Sequence, residues 1–531
     1  MKRLRLSWRD ALTLSSLEMV TVQPELRSKL VQETAFSFQQ RLLIIGVLFI
    51  AAFGIRLYHI NEPPLSFHAT RQYRSLIIAR EYYFASSTSV PEWEKQVAFY
   101  SRQKQGTLEP PIMEFLVSIG YRLLGGEHVW IPRLLSSLFW LIGGGFLYLV
   151  GKRIGDPDAA LFSTAFYLFL PFAVVASRSF QPDPLMVMLM LASVFVILRY
   201  YEAPSSSRLA IAAVISASAF LVKPHSVFVI LGAFTAIAIY RQGIWRAMMS
   251  QTLLVFTAII LFPTIIIYIY NLVTGRFFPH EASKTLLPQL WVSSFFWRSW
   301  VNNVGLTVGF IPFIGALLGL LFFRDGLPRS LLIGLWTGYA IFGLVLNYNF
   351  ATHDYYQLQF IPIVGLSLGP IVALVMNHLN HTRPQLHWRI AAWSALSLAL
   401  VLSIAVARSR LINPQVERKV EAEQQIGELV NHSIKTIFLS GDYGVPLEYH
   451  GLLSGSSWPL QWDLEWERLA GLRPQAAEER FNTRFAKNSP EYFIVEDLKE
   501  FEKQPDLKTF LSQFPVVSQS NDYLIFKLRR S

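Results

Sequence analysis

The chain has 531 residues, 52% of them hydrophobic, 16% charged and 14% aromatic, with a net charge of +11 and no cysteine. That leaves too little polar surface for a soluble fold of this length. The lack of cysteine excludes disulfides, a thiolate nucleophile and thiolate metal sites. The basic residues gather at the ends of apolar segments, where they meet lipid headgroups, so the positive charge does not argue for nucleic acid.

Residues 1–41 are polar and carry Lys2, Arg3, Arg5, Arg9, Arg27, Lys29 and Arg41. The first apolar run starts at Leu42, too late for a cleaved signal, so the first span is expected to serve as an uncleaved anchor. Apolar segments near spanning length follow at roughly 42–58, 130–150, 158–177, 184–200, 208–222, 225–240, 251–271, 304–323, 330–347, 358–377 and 389–408. Every second connection is basic: Lys152 and Arg153, Arg199 and Arg208, Arg241 and Arg246, Arg324 and Arg329, Arg383 and Arg389. The positive-inside rule makes those connections cytoplasmic. The expectation is therefore a multi-pass protein of the cell (inner) membrane, with eleven spans, a cytoplasmic N-terminus and an extracytoplasmic C-terminal segment. A single broken helix across Lys223-Pro224 would invert everything downstream, and the basic pairs after it argue against that.

The first outer loop, 59–129, contains Pro111–Leu124, which is apolar but too short to cross and is expected to lie along the interface. Trp93, Trp130, Trp291, Trp297 and Trp300 suit a belt at headgroup level. Beyond the transmembrane region, 42–408, residues 409–531 turn polar. Thr436–Leu439, Tyr492–Val495, Val516–Ser518 and Tyr523–Phe526 read as strands, and Glu417–Asn431 and Leu498–Phe514 as helices, of a small extracytoplasmic α/β domain.

Ionisable groups facing a cavity at a membrane surface are candidates for function. The first loop offers Glu62, His68, Arg71, Arg74, Arg80, Glu81 and Glu109. Within Phe67–Tyr73, Arg suits an anionic phosphate and His or Glu suits proton transfer; the plainer reading is an interfacial helix with snorkelling Arg. Asp183, between Pro182 and Pro184, reads both as a helix N-cap and as a carboxylate at a cavity mouth, with Arg178 near enough to pair with it. Lys223 and His225 flank Pro224 at another outer turn, where Lys holds phosphate as a point charge or simply snorkels. His353-Asp354-Tyr355-Tyr356 reads either as a grip on phosphate or sugar or as an interfacial aromatic pair.

No phosphate-binding loop occurs, and Gly143–Gly145 lies inside a span, where helix packing explains it. His280-Glu281 lacks the second His of a metalloprotease motif. Metal ligation by His68, Glu109, His225, His280 or His353 is open but has no support from spacing. No cofactor is expected, and a divalent metal is left open.

Several stretches together resemble a known family. They are Arg74–Tyr82, Glu109-Pro110-Pro111 followed by Tyr121–Gly125, Arg133–Ser136, Leu221–Pro224, Gln181-Pro182-Asp183 and Tyr355–Pro362. In order and spacing they resemble the lipid-linked-sugar glycosyltransferases of the C-type fold, in the protein-mannosyltransferase and aminoarabinose-transferase group (family 39). In that family an acidic Asp-Glu pair precedes the amphipathic helix of the first loop; here Arg71 and Gln72 occupy those positions. Glu109 stands where the aminoarabinose branch tends to have Lys.

The resemblance implies a polytopic α-helical enzyme moving a sugar from a polyprenyl-phosphate donor to an acceptor hydroxyl on a lipid, glycan or protein. Its expected catalytic groups are Asp183, Glu109 and His68, in that order. Arg71, Gln72, Arg178, Lys223, His225, His353, Tyr355 and Tyr356 are expected to bind substrate. Two alternatives remain at this point: a transporter or flippase for a lipid-linked sugar, and an inactive binding subunit that kept the fold. The absence of an internal repeat weighs against the first; the missing acidic pair is the argument for the second.

Overall fold

A computed structural model describes residues 36–106, 109–274, 286–323, 325–381, 386–412, 416–469, 471 and 473–528. The N-terminal basic stretch, His280, Glu281, Arg324 and Arg383 lie outside them.

The described chain is mostly helical. Phe38–Leu57 buries only Ala52 and Arg56 and turns Leu42, Leu43, Val47 and Ile50 outward. An apolar surface of that extent is stable only against lipid. The protein is a multi-pass membrane protein. By length and composition seven described helices can cross a bilayer: Phe38–Leu57, Trp130–Ile154, Asp183–Glu202, Gln251–Val273, Leu327–Val345, Asp354–Leu379 and Ile390–Arg410. Two bent pairs raise the number to nine. The other two expected spans fall on apolar helices of 17 residues, Ser206–Val222 and Ser226–Gln242, shorter than those counted as able to cross.

The bends have local causes. Pro171 separates Pro157–Phe169 from Pro171–Ser177, which meet at 60°. Proline has no N–H, so the Tyr167 carbonyl loses its helical donor. Trp140 Nε1 donates to that carbonyl at 3.3 Å, and buried Arg56 donates to the Leu168 carbonyl at 3.0 Å and to Ser177 Oγ at 2.8 Å. The expected single span at 304–323 is instead Ser294–Thr307 and Phe310–Phe322, meeting at 95°. Gly309, at φ +81°, takes the turn, a conformation that costs glycine little. Elsewhere the helices Ser226–Gln242 and Leu327–Val345 touch backbone to backbone: a Cβ at Gly334 would run into the Gly232 carbonyl, and one at Gly338 into the Phe228 carbonyl. Small residues of this kind allow close helix approach in lipid.

The first loop folds as three helices, Ala69–Ser86, Glu92–Gln105 and Ile112–Leu124. The last is amphipathic. Met113, Val117 and Tyr121 are buried, while Phe115, Leu116, Ile119, Leu123 and Leu124 face outward, as an interfacial helix requires.

The C-terminal segment contains a five-stranded sheet in the order β2-β1-β3-β5-β4. Its strands are β1 (Thr436–Leu439), β2 (Gly455–Ser457), β3 (Tyr492–Val495), β4 (Val516–Gln519) and β5 (Leu524–Lys527). The β1 pairings are parallel, and β5 is antiparallel to β3 and β4. Alternate residues of β1 and β3 supply separate cores: Ile437, Leu439, Phe493 and Val495 to one, Phe438 and Ile494 to the other. The four expected strands are present, and β2 is an addition. The expected helix 498–514 is two helices, Leu498–Glu502 and Pro505–Leu511, divided at Pro505.

This sheet unit rests on the first loop. Arg80 donates to the Tyr449 carbonyl at 2.6 Å, Ser101 to the Leu453 carbonyl at 3.1 Å, and Gln105 to Glu448 at 2.9 Å. The Tyr73 hydroxyl and His450 Nε2 are bonded at 2.7 Å.

Candidate active site

Five segments converge where the helix Ala69–Ser86 begins. They are His68–Gln72, Glu109, the turns at Asp183 and Lys223, and the 3-10 turn Asp354–Gln359. Lys223 Nζ donates to both oxygens of Asp183, at 2.8 and 2.6 Å, and both residues are almost wholly buried. Arg71 Nη2 donates to Glu109 Oε1 at 2.8 Å. The ring of Tyr355 lies between the two cations, with Lys223 Nζ 4.8 Å and Arg71 Cζ 5.9 Å from its centre. Lys223 also lies 5.0 Å from the centre of the Tyr356 ring, which stacks on Tyr355 at 4.9 Å. An ion pair taken out of water remains ionised only when both partners are well placed. Here each cation has a carboxylate and an aromatic face.

Burial by itself would raise the Glu109 carboxyl, but Arg71, Lys223 and Arg74 together hold it at about 2. Glu109 is thus a permanent anion and a weak base. His353, pushed down to about 4 by burial and then by His68 and Arg71, is neutral.

His68 has another character. It is a non-glycine residue at φ +44°, the N-cap of its helix without a side-chain cap bond. Such backbone strain persists only where surroundings enforce it. The side chain instead reaches Asp354, Nε2 to Oδ1 at 2.6 Å, and stands edge-on to Tyr355 at 4.8 Å. With side-chain exposures of 27% and 30%, His68 and Asp354 are the more open part of the site. A carboxylate fixes the tautomer and orientation of an imidazole and stabilises its protonated form.

The structure therefore gathers Asp183, Glu109, His68, Arg71, Lys223, His225, His353, Tyr355 and Tyr356. His225 stacks on Phe342 at 4.8 Å and lies 5.0 Å from Tyr356. Gln72 and Arg178 are close by but occupied with backbone. Gln72 donates to the Pro64 and Phe67 carbonyls and accepts from the Phe180 N–H. Arg178 donates to the carbonyls of Tyr58 and His59, at 2.5 and 2.8 Å. The expected Arg178–Asp183 pair is replaced by Lys223–Asp183. Nor does Asp183 act as an N-cap: the helix starts at Asp183 itself, Pro182 holds the cap position, and the carboxylate turns to Lys223. Sequence reading placed Asp354 in the tyrosine cluster without a role; its signal was a carboxylate between His353 and Tyr355. Among the described residues, no three His, Asp or Glu side chains form a group able to hold a metal.

The fold is shared with solved structures of ArnT and of an oligosaccharyltransferase. Residues 108–268, less than half of the chain, match the family model of the dolichyl-phosphate-mannose-protein mannosyltransferases; that stretch includes Glu109, Asp183 and Lys223. The structure is similar to ArnT from Cupriavidus metallidurans bound to undecaprenyl phosphate, with 15% identity, a TM-score of 0.54, and 92% of this chain and 97% of that one covered. It is also similar to the Archaeoglobus fulgidus oligosaccharyltransferase in the apo form, with 13% identity, a TM-score of 0.56, and 91% and 74% covered. A third similar structure is the oligosaccharyltransferase AglB from that organism in complex with an inhibitory peptide and a dolichol-phosphate, with 12% identity, a TM-score of 0.52, and 90% and 72% covered. At these identities the likeness is one of fold. Comparison with curated protein sequences gives no match.

Proposed function

We propose that this protein is a membrane glycosyltransferase that moves a sugar from a polyprenyl-phosphate donor to an acceptor hydroxyl at the extracytoplasmic face. The observation that carries this reading is the double ion pair beside Tyr355: two cations, the partly exposed Arg71 and the buried Lys223, at the head of an apolar helical bundle. A lipid phosphate whose tail lies along that bundle would find both cations in reach. Solved structures of this fold carry undecaprenyl phosphate and dolichol-phosphate, which supports the same class of donor here.

The chemistry follows from the residues. The acceptor oxygen attacks the anomeric carbon while the bond from that carbon to the phosphate oxygen breaks. The acceptor proton passes to His68 Nδ1, the ring nitrogen that Asp354 does not engage, and Asp354, which accepts from Nε2–H, stabilises the imidazolium. Negative charge grows on the departing phosphate, and Arg71 and Lys223 stabilise it. One displacement inverts the anomeric centre. Tyr355 and Tyr356 offer faces for the sugar. The order of base candidates is therefore His68 first. Glu109 is held ionised at low pKa by Arg71, and both Asp183 oxygens are engaged by Lys223.

The test is release of free polyprenyl phosphate from a panel of polyprenyl-phosphate sugars by the full-length protein in lipid nanodiscs with crude envelope acceptors. Release with one sugar, lost in His68→Ala, supports the proposal. No release across the panel by folded protein would move the reading to a binding subunit.

A further inference from the structure

One cluster outside this site bears on the acceptor. Trp462 and Trp466 lie one turn apart on the helix Gln461–Leu469, their ring centres 5.7 Å apart and nearly perpendicular. Tyr348 meets Trp466 edge-on at 5.9 Å, and the Tyr443 hydroxyl donates to Asp463 Oδ1 at 3.2 Å. Trp462 is 58% exposed and Tyr443 44%. The buried Nε1–H of Trp466 makes no hydrogen bond among the described residues, although an indole N–H ordinarily finds an acceptor when buried.

The cluster is fastened to the two segments that bear the His68–Asp354 pair. Thr70, two residues after His68, donates to Asp442 Oδ1 at 3.2 Å, and Tyr443 follows directly. Asp442 and Tyr443 are both left-handed, at φ +53° and +57°. Two consecutive non-glycine residues in that region are strained, and the strain presents Tyr443 beside Asp463. On the other side, Tyr348 belongs to the short helix Asn347–Thr352 that runs straight into His353 and Asp354.

We propose that Trp462, Trp466, Tyr443, Tyr348 and Asp463 form a carbohydrate-binding surface that holds the acceptor, which is a neutral glycan; this rests on the transferase reading above. The C–H face of a pyranose is apolar and slightly positive, and it stacks on the negative face of an aromatic ring. Asp463 accepts from sugar hydroxyls. A membrane surface fits poorly, because the same helix carries Asp463, Glu465 and Glu467, which anionic headgroups repel. A protein partner also fits poorly, because Trp462 is the one large hydrophobic side chain strongly exposed on this helix among its described residues, without the aliphatic surround of a protein interface.

The test titrates the full-length protein in nanodiscs with chitohexaose, mannohexaose and maltohexaose, read by tryptophan fluorescence and saturation-transfer NMR, with an unglycosylated envelope peptide mixture as comparison. At least one hexasaccharide is expected to bind. Trp462→Ala should weaken it about tenfold, the scale of one lost stacking face, while Trp462→Phe keeps most of the affinity. Failure of all three sugars to bind, equal binding by Trp462→Ala, or tighter binding of the peptides would overturn the proposal. Glycan binding without any release of polyprenyl phosphate would instead sink the transfer reading and leave the surface standing.

Discussion

Two regions of this molecule bury carboxylates, and they do so in opposite ways. At the head of the helical bundle Glu109 and Asp183 each face a cation, Arg71 or Lys223, so four charges sit together and cancel. In the C-terminal unit Glu448 is buried among neutral donors, Gln105, Ser454 and the Gly455 N–H, and Glu423 is buried with Lys419 Nζ no nearer than 3.7 Å. Burial pushes Glu423 up to about 9, with Glu496 adding to it, and Glu448 up to about 8. The first arrangement keeps both carboxylates charged. The second keeps the group neutral and serves packing.

The largest break in this comparison is Lys223→Met. It strands the Asp183 carboxylate and should cost about 3–5 kcal/mol of stability, the penalty for one unpaired buried charge. The double variant Lys223→Met with Asp183→Asn should recover much of that loss while remaining inactive. Thermal unfolding and polyprenyl-phosphate release, measured side by side, separate the two effects. Recovered turnover in the double variant would remove the pair from the mechanism.

His68→Ala comes next. Loss of a general base typically lowers turnover by about 10²–10⁴-fold. Asp354→Asn should give a smaller loss with an altered pH–rate profile, because Asp354 acts through His68. Identical profiles for Asp354→Asn and the parent would contradict that role.

The smallest effect is the pH response of the C-terminal unit. The folded pKa of Glu423, about 9, is raised above its ordinary value of 4.5. Its favourable contribution is therefore complete below about pH 4.5 and is lost as pH rises through 9. Glu423→Gln should gain melting temperature relative to the parent as pH goes from 5 to 9. A constant difference across that range would show that Glu423 is ionised in the fold.

Much of the plan was legible in the sequence. Most spans, the interfacial helix and four of the five strands follow from hydrophobic length and period, which are local. His68, Arg71, Asp183, Lys223 and Tyr355 were also visible, as polar residues at apolar boundaries. Their partners were not. The Lys223–Asp183 pair joins residues 40 apart, and His68–Asp354 joins residues 286 apart; nothing local encodes either. Gln72 and Arg178 looked like substrate ligands because backbone carbonyls in need of a donor leave no mark in a sequence. Strand β2, Gly455–Ser457, was invisible because three small polar residues carry no period.

The central claim is that the bundle-head cations are held for a lipid phosphate. The most direct test is the affinity of polyprenyl phosphate for the parent protein and for Arg71→Gln, in nanodiscs of neutral lipid at pH 7. Binding at least about tenfold weaker in the variant, on the scale of one charge-assisted hydrogen-bonding contact, is the expected result. Equal affinity would mean that Arg71 serves only Glu109 and that the donor phosphate lies elsewhere.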